Sequence, residues 1–139
     1  MADVTLTASS VTSSNLAALT GLAGATIAAG DFLYADAADG SRLKLANAFG
    51  AVAEADVVGV ALANGVAGQV IPYVSAAIIT AQAGVFGNSG LPLFLSASTP
   101  GKCATGAPVG QGDYLTFIGY STATNKFQLF IKATGFALL

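Results

Sequence analysis

The sequence predicts an all-β protein, a compact β-barrel or β-sandwich of about 8–10 short strands with an extended N-terminal arm. Short runs rich in β-branched and aromatic residues recur between glycine-containing turns, and no window has a sustained helical period. The length of 139 residues suits a single domain with a sizeable core. We therefore divide the chain into an arm, residues 1–29, and a β domain, residues 30–139.

The segment 1–29 differs from the rest of the chain. "VTLTASSVTSS" is rich in β-branched residues and alternates, which favours an extended strand. "NLAALTGLAGATIAA" is alanine-rich and could hold a short helix, although Gly21 and Gly24 disfavour one. We interpret the segment as an arm that becomes ordered against another surface. An ordinary first strand and loop is the alternative that the residues leave open.

Strand and turn signals become regular from Gly30 onwards. Residues 31–35 and 42–46 are predicted to form a hairpin around Asp39 and Gly40. Further strands are predicted at 57–62 and, as one or two strands, at 69–80. Pro72 lacks a backbone donor, so its strand is predicted to lie at an edge or to contain a break.

The second half of the chain repeats this rhythm and predicts an internal duplication. "GLPLF" at 90–94 matches "GDFLY" at 30–34, and "FIGYS" at 117–121 matches "VVGVA" at 57–61, both at a shift of 60 residues. "VIPYV" then falls opposite "FQLFI". The two related halves are predicted to span about 30–80 and 90–133. Gly59 and Gly119 take equivalent strand positions, where glycine often marks a bend, a bulge or a close backbone approach.

The last predicted strand, "KFQLFIKAT", shows clear alternation. Phe127, Leu129 and Ile131 alternate with Lys126, Gln128, Phe130 and Lys132, which predicts one buried face and one mixed face.

Charge is unusually sparse. Charged residues make up 9% of the chain and the formal net charge is −2, whereas an average soluble domain is about 25% charged. The five basic residues are scattered, which argues against a nucleic-acid partner. Residues 8–29 and 57–101 carry no charge at all. A single exposed domain would stay soluble with difficulty at this charge density, so we expect a homo-oligomer.

Membrane and secretion signals are not predicted. The start "MADVTL" has no basic region followed by an apolar core, so it does not indicate a signal peptide. The run "LAALTGLAGATIAAG" falls short of the roughly 20 apolar residues that a membrane span needs.

Three acidic residues and one loop are the candidate ligand sites in the sequence. Asp31, Asp36 and Asp39 lie around a turn, but the full calcium-loop pattern is missing, so a solvated turn is the favoured interpretation. "STPGKC" resembles part of a phosphate-binding loop, but Ser96 stands where that motif needs glycine and no helix is predicted to follow. We predict no metal and no cofactor.

Catalytic chemistry is disfavoured as well. Glu54 and Asp56 would share a face if they lay on a strand, but no aromatic platform accompanies them, so they read as surface charges. Cys103 is the only cysteine and the chain has no histidine to serve as its base. We interpret Cys103 as a small, half-buried structural residue. No catalytic residue is predicted, and the protein is not expected to be an enzyme.

The quoted segments together resemble a known class of protein. "AGDFLYADAADGSRLKLANA" followed by "VVGVALANGVAGQVIPYV" resembles the small β-rich decoration, or cement, proteins of tailed-bacteriophage heads and related head-fibre modules. "GLPLFLSASTPGKCA" and "YLTFIGYSTATNKFQLFI" resemble the continuation of that pattern, so the likeness covers about residues 24–133. The alanine-rich segment before Gly30 departs from it. The resemblance implies a trimer on the outer capsid surface, made in the host cytoplasm, with the major capsid protein as partner.

Two functions follow as expectations. The first is a virion structural protein that stabilises the phage head, with no nucleic-acid and no membrane partner. The alternative is a head- or tail-fibre module that binds a glycan or receptor on the host surface. Tyr34, Tyr73, Tyr114 and Tyr120 would be its stacking platforms, although the chain has no tryptophan.

Overall fold

A computed structural model describes residues 3–14, 18–108 and 110–137 of the chain. These residues form an all-β fold with two antiparallel sheets that pack in the manner of a sandwich, as the sequence predicts, and the sheets do not close into a barrel. The described strands are β1 (Asp3–Val4), β2 (Thr12–Ser13), β3 (Leu19–Leu22), β4 (Phe32–Asp36), β5 (Arg42–Leu45), β6 (Gly59–Ala61), β7 (Val70–Val74), β8 (Ile78–Thr80), β9 (Pro92–Leu95), β10 (Cys103–Ala104), β11 (Tyr114–Ala123) and β12 (Lys126–Ala137). Short 3-10 turns lie at Ala8–Ser10, Ala37–Asp39 and Val52–Ala55.

The two sheets have unequal size. The larger has the order β1-β10-β9-β11-β12-β8-β2, and the smaller has the order β3-β7-β6-β4-β5. In the smaller sheet the edges β3 and β5 approach each other, because Ala23 forms a bridge to Leu43 and the amide of Gly24 donates to the Leu43 carbonyl at 2.8 Å. This sheet is therefore strongly curled.

The core has two parts because the smaller sheet is buried on both faces. Phe127 packs with both Phe32 and Phe86 in the main core between the sheets. Leu33, the next residue along β4, points to the opposite face and packs with Ile27 in a second cluster inside the curled sheet. The segment after β3 thus covers the outer face of the smaller sheet, and alternation along β4 assigns its residues to the two clusters.

The two sheets share one pattern of strand pairing, which fits the predicted internal duplication. Five strands of the larger sheet, in the order β8-β12-β11-β9-β10, reproduce the smaller sheet strand for strand. Equivalent pairs are Leu33–Gly59 with Leu93–Gly119, Ala35–Leu43 with Leu95–Cys103, and Leu19–Tyr73 with Ile79–Phe127. The shift is 60 residues on every strand except β12, which follows β7 by 54 because the preceding turn is shorter.

The registers also move the predicted boundaries of the repeat. The first unit begins at β3 rather than at residue 30, and β8 belongs to the second unit although it lies within the range 30–80. Val74 corresponds to Gln128, so "VIPYV" and "FQLFI" are three residues out of register in the predicted alignment. Between residues 19 and 59, the identical residues at the shift of 60 are Thr20/Thr80, Ala23/Ala83, Gly24/Gly84, Gly30/Gly90, Leu33/Leu93, Ala37/Ala97, Gly50/Gly110 and Gly59/Gly119.

Gly59 and Gly119 are buried where two strands come too close for a side chain. A Cβ on Gly59 would lie 2.5 Å from the carbonyl oxygen of Val74, and a Cβ on Gly119 would collide with the carbonyl oxygen of Gln128. Gly119 also lies at register shifts with both neighbouring strands. Close backbone approach, with a bulge in the second unit, is the reason for glycine at both positions.

The described part of the segment 1–29 contributes strands to both sheets. This supports the alternative of ordinary strands and loops over a separate arm. β1 pairs with β10 and β2 pairs with β8, so residues 3–14 supply both edge strands of the larger sheet. Val4, Leu6 and Val11 belong to the main core. Residues 18–29 form β3 and the cover of the smaller sheet rather than a helix, whereas Asn15, Leu16 and Ala17 of the predicted helical stretch lie outside the described residues.

Two polar clips hold residues 3–14 in place. The carboxylate of Asp3 accepts hydrogen bonds from the hydroxyls of Ser96 at 2.6 Å, Ser98 at 2.8 Å and Thr99 at 2.8 Å. The Gln82 amide accepts from the Thr7 backbone at 2.9 Å and donates to the Thr5 carbonyl at 2.8 Å.

One local prediction needs correction. Pro72 lies in an interior strand, between β3 and β6, and not at an edge. It is tolerated because β6 ends at Ala61, beside Pro72, where Leu62 donates to the Pro72 carbonyl and a reciprocal donor is not required. Glu54, which the sequence predicts to be a surface charge, lies in a 3-10 turn, and its carboxylate accepts from the amide of Ala51 at 2.6 Å.

Substituting valine for Gly59 or Gly119 is expected to lower the free energy of unfolding by about 1–3 kcal/mol, because the new Cβ would force apart two strands. Thr122→Val places the same side chain at an exposed position of β11 and serves as the control. Chemical denaturation of the three variants measures the effect. Gly variants as stable as the control would remove close approach as the reason for these glycines.

Asp3→Asn is expected to destabilise the protein in a pH-dependent way. Partial burial acts to raise the pKa of Asp3, but the hydrogen bonds from Ser96, Ser98 and Thr99 outweigh it and hold the pKa below its ordinary value of 3.8. A carboxylate with a lowered pKa stabilises the fold above its unfolded pKa, and this contribution disappears as pH falls through the folded pKa. The melting temperatures of wild type and Asp3→Asn should therefore differ at pH 6–7 and converge towards pH 3. Asp56→Asn, which removes an exposed carboxylate, should show no such pH-dependent difference from wild type. A gap that persists at low pH would contradict the ionic clip.

Candidate interaction surfaces

The three acidic residues of the predicted turn form ion pairs with two different lysines. Asp31 is buried and pairs with Lys102 at 2.9 Å, while Lys44 pairs with Asp36 at 2.7 Å and Asp39 at 3.2 Å. The hydrogen bond from Lys44 lowers the pKa of Asp36. The three carboxylates therefore neutralise lysines rather than converge on one point. Among the described residues no group of three or more cysteines and carboxylates is arranged to hold a metal ion.

The "STPGKC" segment binds a side chain of its own protein. Its Ser98 and Thr99, together with Ser96, direct their hydroxyls to the carboxylate of Asp3. The segment thus stabilises β1 at the sheet edge, and it leads into the short strand β10.

Cys103 lies on β10 and is fully buried, where the sequence predicted a half-buried residue. Burial raises the pKa of its thiol to about 12. The thiolate, which is the nucleophilic form, is therefore scarce at neutral pH.

The four tyrosines do not form a common platform. Tyr34 is buried in the main core, and Tyr73 and Tyr114 are half-buried in different sheets. Tyr120 is exposed at 46% and is the one tyrosine among them with a largely free side chain. No observation on these residues favours a glycan site over the other functions.

A first apolar surface, the groove surface, follows the outer side of β12. Two adjoining grooves, of about 650 and 350 Å³, lie between residues 129–135 of β12 and the segment 52–58. Val52 is 49% exposed and Phe130 is 61% exposed. Asp56 and Lys132 are the charged residues that line the grooves. The groove surface thus combines large apolar side chains with little charge.

A second apolar surface, the edge surface, lies on β3, β7 and the turn before β7. Leu22 pairs with Val70 across the two strands, and both are exposed, at 37% and 68%. Leu19 and Val66 add further exposed apolar area, at 49% and 52%. Residues 18–30 and 57–75 contain no charged side chain, so nothing on these strands opposes contact with another protein.

The sequence indicated neither surface residue by residue. The signal that could have found them is the uncharged runs 8–29 and 57–101, which include every residue of the edge surface. Phe130 could be read as outward-facing from the alternation of its strand, whereas Val52 lies in a turn without a periodic pattern.

No helix in the described part of the chain is long and apolar enough to cross a membrane. Comparisons of the chain with models of protein families and with curated proteins found no match.

Cys103 is expected to be unreactive and dispensable. A thiol reagent such as DTNB should modify it only after denaturation, because the folded protein buries it. Cys103→Ala should keep its oligomeric state, whereas Cys103→Ser should lose about 1–3 kcal/mol of stability because it buries a hydroxyl among apolar side chains. Rapid labelling of the native protein, or the loss of a specific activity in a well-folded Cys103→Ala variant, would contradict a structural role.

Proposed function

We propose that this protein is a virion structural protein, a capsid decoration or cement protein that stabilises a phage head through contacts with the major capsid protein. The observation that carries the proposal is the presence of two exposed apolar surfaces on a rigid β-sandwich with very little charge. The resemblance of residues 24–133 to phage-head proteins supports the same conclusion.

The physical logic is mass action. A protein that binds only the assembled shell stabilises that shell, and many symmetric copies add weak contacts into a large total. Contacts through Val52 and Phe130 would be mostly apolar, so we expect shell binding to tolerate salt. The groove surface is our candidate for the shell contact, because its two grooves can accept protruding side chains.

The integration of residues 3–14 changes how the proposal is tested. Deleting the segment 2–24 would remove β1, β2 and β3 together with Val4, Leu6 and Val11 of the core, so the remainder would not keep this fold. Point substitutions on the exposed surface are the appropriate tool.

The experiment compares particles with and without the protein. Stripped particles should release DNA at a lower temperature than decorated ones, and adding back the purified protein should restore the release temperature. The double variant Val52→Ser/Phe130→Ser should fold normally but restore it poorly, while Val66→Ser, on the edge surface, is the matched control. Identical release temperatures for bare and decorated particles would overturn reinforcement and place host attachment first.

A further inference from the structure

The outer side of β3 is an open sheet edge. The amide of Ala23 donates to the carbonyl of Gln69 at 2.7 Å on the β7 side, and that of Gly24 donates to Leu43 on the opposite side. Because backbone groups alternate along a strand, those of Thr20 and Leu22 point away from β7. β3 is the last strand of its sheet, and no strand pairs with this side at 19–22 within the described part of the chain.

The duplicated unit shows what such an edge accepts. β8 is the equivalent of β3, and its outer side is covered by β2, with Thr12 opposite Thr80 and Ser13 opposite Ile79. The Ser14 amide donates to the Ile78 carbonyl at 3.0 Å. The same edge is therefore occupied by a short, uncharged, antiparallel strand in one sheet and left open in the other.

A matching strand lies elsewhere in the chain. "LTGLA" at 19–23 and "ITAQA" at 79–83 form the start of each unit, and "ATGFA" at 133–137 shares their threonine and final alanine. Val74 and Gln128 are equivalent, and the motif begins five residues after each of them, at Ile79 and at Ala133. Residues 133–137 thus match the strand that opens each unit in their position along the repeat and in these two residues.

After β7, at the first of these two equivalent positions, the chain passes from one sheet to the other. β7 lies in the smaller sheet, and β8, which follows it, joins the larger one. Residues 133–137 instead continue β12 and pair with β11, where the register shifts between Tyr114 and Thr116 and Gly135 adopts a left-handed φ of 71°. Phe136 is left 76% exposed. The outer side of this segment has no strand partner among the described residues, and Ala133, Thr134 and Gly135 also line the smaller groove of the groove surface.

We propose that residues 133–137 of one copy pair with the open edge of β3 in a second copy. In this contact, residues 133–137 join a sheet of a second copy, just as β8, which follows β7, joins the larger sheet within one chain. It would be antiparallel, as are all pairs between the named strands, and it would cover Leu22 and Phe136. Neither segment carries a charge that would oppose the pairing. Because the two surfaces differ, the contact is head-to-tail, and three copies could close it into a ring.

The test uses two single variants of the purified protein, so it is independent of capsid binding. Leu22→Lys blocks the accepting edge, and Phe136→Lys blocks the donated strand, since a lysine at a strand edge disfavours pairing. Each variant alone should raise the dissociation constant of self-association at least about ten-fold, with an unchanged melting temperature. Light scattering over a concentration series measures the mass, and Tyr120→Lys, at an exposed position of β11 outside the edge surface and the segment 133–137, should associate like wild type.

Mixing the two variants decides the geometry. A head-to-tail contact leaves one intact interface in the mixture, between the Phe136→Lys edge and the Leu22→Lys strand, so a one-to-one dimer should form. A wild-type protein that is monomeric at every concentration, a mixture that stays monomeric, or a Phe136→Lys variant that self-associates like wild type would overturn the proposal. The last outcome would indicate a two-fold pairing of β3 with β3 instead.

Discussion

The need to cover sheet edges governs this structure. An uncovered edge exposes a row of backbone donors and acceptors to any neighbouring strand. The larger sheet meets this need with a single segment, because residues 3–14 run from one edge to the other and provide both β1 and β2. Asp3 and Gln82 then hold that segment through side-chain hydrogen bonds. The smaller sheet meets it by curling until Ala23 reaches Leu43, which leaves part of β3 open.

The repeated strand pattern gives both sheets the same exposed edges, and the chain covers those edges in two different ways. Both sheets contain the same five strands in the same register, so their edges face the same physical requirement. Only the second unit receives the additional strands β1 and β2. Its main-core residues, such as Leu93 and Ile118, are accordingly enclosed between strands from both ends of the chain. The first unit has no such addition, and its exposed apolar side chains lie at the edge that is left over.

Local patterns predict the longer strands, such as β4, β5 and β12, but not their partners, which depend on long-range contacts. The hairpin of β4 and β5 follows from Asp39 and Gly40, and the inward face of β12 follows from the alternation around Phe127. The pairing of β1 with β10 joins residues about a hundred positions apart and leaves no periodic signal in a two-residue strand. The interior position of Pro72 could not be predicted for a similar reason, since a proline is tolerated there only because β6 ends beside it.

Sparse charge has a consequence that the two apolar surfaces make concrete. Among the described residues, Lys44 pairs with carboxylates at a local turn, and Asp31 pairs with Lys102 in a nearly buried contact. Few charges therefore remain to repel a neighbouring molecule. Surface ion pairs contribute little to stability, whereas uncharged strand edges and exposed aromatic side chains favour association. A chain of this composition therefore leaves Leu22 and Phe130 exposed, with little charge around them to oppose contact with another protein. Its function is to be sought in what those surfaces contact.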